Sequence, residues 1–239
     1  MSDIDLYQST PEKYNEYQHT RLDYSVAIDR AIELAAEKLK NKGSDVWVAD
    51  FCSGTGSNTF DLVQKLGSIK KATLIDINQH FLEQAKASQI KAEAIETIHS
   101  NILEAPINTG YDCVLSLFAY HHVTDDKKQR FIDQVKQALN PGGIFVLGEI
   151  YMPDRPTTIA YYDKLIQAIP EEKRSAGLVA FLEQTARSTD VEFKIPKLFA
   201  TDQLIASGFS CIVEEKIWPN DDVLGKDVGT FVQIWQLIN

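Results

Sequence analysis

Short apolar runs alternate with amphipathic stretches along the first 150 residues. Val26, Ile28, Ala31, Ile32, Ala35 and Leu39 fall on one side of a 3.6-residue period, which predicts a helix over 25–40, closed by Asn41-Lys42-Gly43. Val46-Trp47-Val48-Ala49-Asp50-Phe51 is an almost uninterrupted apolar run and reads as a buried strand. The alternation then repeats: helix 57–66, strand 72–76, helix 78–88, strand 94–99, strand 111–118, helix 125–139 and strand 144–150. Asn140-Pro141-Gly142-Gly143 predicts a turn before the last of these. Strands that alternate with helices, and are apolar on both faces, predict a parallel sheet covered on both sides.

After Tyr151 the rhythm changes. Two helical stretches, 157–169 and 173–188, predict a helical insertion over 152–200 that covers a substrate site. A short helix at 201–206 and strands at 209–217 and 229–237 close the chain, the strands as an antiparallel pair at the sheet edge. The first 24 residues are polar and rich in tyrosine (Tyr7, Tyr14, Tyr17, Tyr24) and read as a lid segment of one domain spanning 1–239.

Composition narrows the function. With 24 Lys+Arg against 34 Asp+Glu the net charge is −10, which repels a phosphate backbone or an anionic membrane and argues against nucleic-acid and membrane partners. No apolar stretch approaches the ~20 residues of a membrane span, and the acidic start of the chain lacks a secretory signal, so a cytoplasmic location is expected. Cys52, Cys113 and Cys211 lack metal-ligand spacing; Cys113 and Cys211 sit in apolar runs and read as buried.

The first strand–helix junction carries the chemistry. In Asp50-Phe51-Cys52-Ser53-Gly54-Thr55-Gly56, glycines between a buried strand and a helix let backbone approach a ligand closely. Twenty positions after Gly56, Asp76 ends the second strand, where a carboxylate can accept both hydroxyls of a ribose. The dinucleotide pattern G-x-G-x-x-G fails, because Thr59 stands where its third glycine belongs, and no GK[ST] follows.

With these residues the chain resembles the class I S-adenosylmethionine-dependent methyltransferases over roughly residues 45–150. The family's acid-x-Gly-x-Gly-x-Gly loop matches Asp50 to Gly56, with Cys52 in place of the first glycine. Asp76 and Ile77 match the ribose-binding acid and the residue beside the adenine, and Asn101 and Ile102 match the pair after the third strand. Tyr111 to Phe118, with Ser116 and Phe118 facing the cofactor, match the fourth strand, and Leu139 to Gly143 match the turn before the fifth. The resemblance implies a seven-stranded Rossmann-like α/β sheet of order 3-2-1-4-5-7-6 with strand seven antiparallel. It also implies S-adenosylmethionine bound by Asp50, Cys52, Gly54, Thr55, Gly56, Asp76, Ile77, Asn101, Ile102, Ser116 and Phe118, with Tyr14 and Tyr17 folded over it.

His121 and His122 follow the fourth strand, where methyl donor and acceptor meet in that family, and are the candidate catalytic residues. His121 is preferred, because Val123-Thr124 is expected to turn His122 toward the core. No metal is expected at the pair, since adjacent residues rarely converge on one ion and the sequence shows no third ligand. Glu149, Tyr151, Arg155, Tyr161 and Tyr162 are further candidates to line the acceptor site. The expected activity is methyl transfer to a small-molecule acceptor. The alternatives are cyclisation of the cofactor's aminocarboxypropyl arm with release of methylthioadenosine, a binding module without catalysis, or a nicotinamide enzyme.

Overall fold

The computed structural model describes residues 20–188 and 192–238. Seven strands form one sheet: β1 Trp47–Phe51, β2 Ile69–Asp76, β3 Ala92–His99, β4 Tyr111–Leu117, β5 Leu139–Tyr151, β6 Phe209–Trp218 and β7 Gly229–Leu237. Their order is β3-β2-β1-β4-β5-β7-β6, with β7 antiparallel to β5 and β6 and the remaining pairs parallel. The helices are α1 Leu22–Leu39, α2 Ser57–Leu66, α3 Gln79–Ala87, α4 Lys128–Ala138, α5 Arg155–Ala168, α6 Ala176–Arg187 and α7 Lys197–Ala206. The sheet order agrees with the architecture that the resemblance implied, and the antiparallel last strands with the pair expected at the sheet edge.

Alternate residues of each strand feed two apolar cores, one per face of the sheet, as the period of two requires. Val48 of β1 joins one core with Leu115 of β4 and Ile32 of α1; Ala49 and Phe51 join the other with Val114 of β4 and Phe131 of α4. From β1 the chain steps to β2 and β3 on one side and returns to the other side at β4. The crevice between the carboxyl ends of β1 and β4 is therefore a topological switch point, the place where open α/β sheets bind ligands.

Three expectations need correction. The Asn140-Pro141-Gly142-Gly143 turn is absorbed into β5 as a bulge: Tyr111 pairs with Leu139 and Cys113 already with Ile144, and Gly142 takes φ +77°. Cys211 is exposed, because β6 is the edge strand and only one of its faces is covered; Cys113 is buried as expected. Helix α1 begins inside the expected lid segment, at Leu22, and takes Tyr24 with it. Tyr7, Tyr14 and Tyr17 lie outside the described residues.

Candidate active site at the carboxyl ends of β1 and β4

The loop after β1 is built by positive backbone angles. Cys52, Gly54 and Gly56 have φ of +60°, +54° and +74°. Cys52 thus occupies, with a side chain, a conformation that costs an L-residue about 1–2 kcal/mol. The two glycines serve different ends. A Cβ on Gly56 would lie 3.0 Å from the Ala85 Cβ and 3.3 Å from the Leu74 Cδ1, so this glycine lets α3 and β2 pack against the loop. A Cβ on Gly54 would meet nothing within 4 Å among the described residues.

Asp76 closes the same loop from the end of β2. Its Oδ2 accepts the Gly54 N–H at 2.8 Å and its Oδ1 accepts the Asn78 N–H at 2.8 Å. The two bonds orient the carboxylate, and each oxygen keeps a lone pair for a further donor. Burial raises its pKa, and the backbone N–H groups of Asn78, Gly54 and Ile77 oppose that rise. Ile77, next in sequence, is 70% exposed at the edge of the crevice. Asp50 lies beneath the loop and accepts the Thr59 hydroxyl at 2.7 Å. Burial pushes its carboxyl up to about 7, against the Thr59 hydrogen bond and with the charge of Asp76 adding to the rise.

Thr55 and Ile102 are buried beside the loop. Asn101 is exposed and spends its Oδ1 on the Leu103 N–H at 3.0 Å, so its side chain shapes the turn after β3. Among the described residues, the Ser53 and Ser116 hydroxyls, in the loop and in β4, are buried without a hydrogen-bond partner; such groups ordinarily find one. Phe118, just past β4, takes φ +57° and stacks on Tyr24 with ring centroids 4.4 Å apart. Non-glycine residues at positive φ concentrate at ligand sites, and this crevice holds two.

The histidines occupy a 3-10 turn, Tyr120–His122, beyond β4. Their burial is the reverse of the expectation: His121 is 5% exposed and His122 is the partly exposed one. The reason is Glu149 of β5, whose Oε2 accepts the His121 backbone N–H at 3.0 Å while Oε1 lies 2.5 Å from Nδ1. Oε1 also accepts the Ile150 N–H at 2.6 Å. Burial pushes Glu149 up to about 7, opposed by the Ile150 N–H, Lys128, His122 and Lys194. Burial drives His121 down, and Lys194, Lys128 and Arg21 add to that. Above about pH 7 the pair holds an ionised carboxylate and a neutral imidazole whose Nδ1–H points at Oε1. Nε2 is then the basic nitrogen. Lys128, fully buried in α4, donates to the Val123 carbonyl at 2.5 Å and pins the turn.

Glu192 supplies the third group that the sequence did not show. One ligand atom each from His121, His122 and Glu192 lie within 4.8 Å of one another. The Lys194 ammonium pairs with Glu192 and lies 5.2 Å from the Tyr162 ring centroid, so the cluster is charge-compensated by the chain itself.

The remaining candidates divide. Tyr162 is buried beside Arg21 and Lys194. Tyr161 donates to Asp23 Oδ2 at 2.7 Å and contacts Thr230 Oγ1 at 2.6 Å. Arg155 is exposed on α5 and donates to the Arg187 carbonyl. Tyr151 does not line the site. It is buried in the core, 5.9 Å from Phe231 between ring centroids, and its hydroxyl donates to Gln233 Oε1 at 2.7 Å. Arg21, Lys128, Glu192 and Lys194 escaped the sequence reading; none stands near a recognisable motif.

Comparison with known proteins agrees with this architecture. Residues 48–143 match the methyltransferase domain family. A ubiquinone/menaquinone biosynthesis C-methyltransferase of Francisella philomiragia is 30% identical over 128 residues, 52% of this chain and 50% of that one. A demethylmenaquinone methyltransferase of Lactococcus lactis is 31% identical over 127 residues, 51% and 49% of the two chains. The chain thus spans about half the length of these curated relatives. Among solved structures, an S-adenosylmethionine-dependent methyltransferase of Clostridium acetobutylicum superposes with a TM-score of 0.60 at 15% identity, covering 88% of this chain and 92% of that one. A Burkholderia thailandensis 1,6-didemethyltoxoflavin-N1-methyltransferase, solved with S-adenosylhomocysteine, gives 0.56 at 13% identity over 97% and 92%. The sheet order and the glycine loop define a Rossmann-like α/β domain. More narrowly, residues 48–143 match a methyltransferase domain, and the chain shares the fold of solved S-adenosylmethionine-dependent methyltransferases.

The loop geometry separates two substitutions. Gly56→Ala forces a Cβ against α3 at positive φ and is expected to cost about 1–3 kcal/mol in chemical denaturation. Gly54→Ala meets no atom of the described residues and is expected to cost less in stability, yet to weaken S-adenosylhomocysteine binding at least tenfold. Equal effects of the two on both readouts would refute this division of roles.

Proposed function

We propose that the protein transfers the methyl group of S-adenosylmethionine to a small-molecule acceptor that carries an ionisable O–H or N–H, and that His121 takes the acceptor's proton. The observation that carries this reading is the buried His121–Glu149 contact of 2.5 Å at the end of β4, across the switch point from the glycine loop. A carboxylate that holds one ring nitrogen of a histidine fixes the tautomer and leaves the other nitrogen as base. His122 is the second candidate for contact with the acceptor.

The residues present fit the cofactor. Asp76 offers an oriented carboxylate to a ribose diol, Gly54 leaves room for close approach, Ile77 offers an apolar edge to the adenine, and the Ser53 and Ser116 hydroxyls await a partner. Asp50, Cys52, Thr55, Gly56 and Ile102 shape the walls, and Asn101 holds the adjoining turn. Tyr24 and Phe118 present aromatic faces suited to a cation. The bound cofactor supplies an activated methyl group on its sulfonium. The chain contributes position, exclusion of water and a proton acceptor. Helices α5 and α6, within 152–200, cover the acceptor side.

Calorimetry tests the cofactor reading. S-adenosylhomocysteine is expected to bind in the micromolar range and NAD not at all. Asp76→Ala removes a charge-assisted acceptor worth about 1.5–3 kcal/mol and should weaken binding at least tenfold with the fold intact. NAD binding without a response to S-adenosylhomocysteine would overturn the assignment, and methylthioadenosine as the sole product would overturn methyl transfer.

A further inference from the structure

A cavity of about 220 Å³ opens between α5, α6 and the segment carrying Glu192 and Lys194. Seven of its nine lining residues are polar or charged, the exceptions being Met152 and Ala186. It is smaller than the ~300–1,000 Å³ of pockets that take drug-sized apolar ligands. Glu192 on its wall connects it to the chemistry, because the same side chain lies within 4.8 Å of His121 and His122 nitrogens.

Resting on the methyl-transfer reading, we infer that this cavity holds the acceptor. The acceptor is then a small, water-soluble molecule with an anionic group at one end and the protic nucleophile at the other; it carries no long apolar tail. The two ends of the cavity differ in character. Toward solvent stands Arg155, whose guanidinium spends Nη2 on the Arg187 carbonyl and keeps most of its five-donor fork for a carboxylate or phosphate. Toward the interior stand Glu192 and Lys194, with side chains 7% and 5% exposed, next to the histidine turn. The Asp154 carboxylate on the wall is engaged at the start of α5, where its Oδ1 accepts the Thr157 N–H at 2.8 Å, and Glu192 is neutralised by Lys194. Lys194 therefore balances Glu192, while Asp154 keeps its charge and turns it toward the first turn of α5. An apolar tail would have to lie along a wall whose residues are mostly polar or charged.

Two measurements test this. In the first, the S-adenosylhomocysteine complex is titrated with 4-hydroxybenzoate, which is small, anionic and protic, and with phenol, which lacks the anion. The first probe is expected to bind at least tenfold tighter than the second, and Arg155→Gln to erase that difference while S-adenosylhomocysteine affinity stays the same. Equal binding of the two probes, or a preference that survives Arg155→Gln, overturns the proposal. In the second, methyl-labelled S-adenosylmethionine is incubated with the enzyme and a whole-cell metabolite extract. Label is expected in a water-soluble product retained on an anion exchanger; label in the hexane phase, or in an unretained product, overturns it. An anion preference in the first measurement with no label in any product of the second would overturn methyl transfer, and with it the cavity's role as acceptor site, whereas a labelled product without the anion preference would overturn the cavity assignment alone.

Discussion

Glu149→Gln lowers turnover by about 10²–10⁴-fold while S-adenosylhomocysteine affinity stays near wild type. The amide keeps the shape but removes the charge that holds His121 Nδ1–H on Oε1, so Nε2 is no longer fixed as the base. His121→Ala is expected to fall in the same range, and the double variant no further, because the two groups act as one unit. His122→Ala, at a partly exposed position, should lose less and partly in the acceptor KM. The pH profile gives the independent signature. Glu149 is held above its ordinary value, to about 7, by burial. A carboxyl raised in this way keeps its proton to higher pH, so the active ionised form accumulates as pH rises. In the wild type, kcat/KM should climb through about pH 7 and level off above it. Lys128, Lys194 and His122 face this carboxyl and pull the limb down; burial pushes it up. In Glu149→Gln that limb should vanish. Single-turnover rates with the acceptor that takes up label make the measurement. A wild-type rate and an unchanged profile in Glu149→Gln would remove the dyad from the mechanism.

Asp23→Ala destabilises the protein by about 3–5 kcal/mol in urea denaturation. Asp23 is completely buried at the start of α1 and receives Arg21 Nε at 3.2 Å, Arg21 Nη2 at 2.8 Å and the Tyr161 hydroxyl at 2.7 Å. Arg21 is itself buried, over the rings of Tyr24 at 5.7 Å and Tyr162 at 6.0 Å. Removing the carboxylate takes from the buried guanidinium the charge that Asp23 supplies, and that loss, more than the bonds themselves, sets the cost. Replacing both partners by apolar residues, Arg21→Met with Asp23→Leu, should therefore recover much of the loss. The network also joins α1 to α5, and through Thr230 to β7, beside the histidine turn. Catalysis should thus fall in the single variant even below its melting temperature. A change under 1 kcal/mol in folded Asp23→Ala would mean that water reaches the pair.

The His121–Glu149 pair shows how far the chain could be read. His121 was visible because it follows a strand whose end faces the glycine loop. Its partnership with Glu149 was not, because nothing local in β5 marks Glu149 as different from Tyr151. Both side chains leave β5 on the same face, two residues apart. Packing separated them: Glu149 met the His121 turn, while Tyr151 met Gln233 of β7. Asn101 was equally ambiguous, since an amide after a strand serves a turn or a ligand, and the Leu103 N–H claimed it.

By itself the sequence determined the parallel sheet, the glycine loop and the acid at the end of β2. These rest on short-range physics: apolar runs must be buried on both faces, and left-handed backbone favours glycine. It did not determine which buried charges meet. The Arg21–Asp23–Tyr161 network, the Lys128 clamp, the His121–Glu149 pair and the Glu192–Lys194 wall bring together residues from α1, α4, α5, β5 and the segment before α7. Periodicity carries no information about such pairings. Only the tertiary structure decided them, because a buried charge is tolerated where another element supplies its counter-charge or hydrogen bond, and that partner is fixed by how the helices cross the sheet.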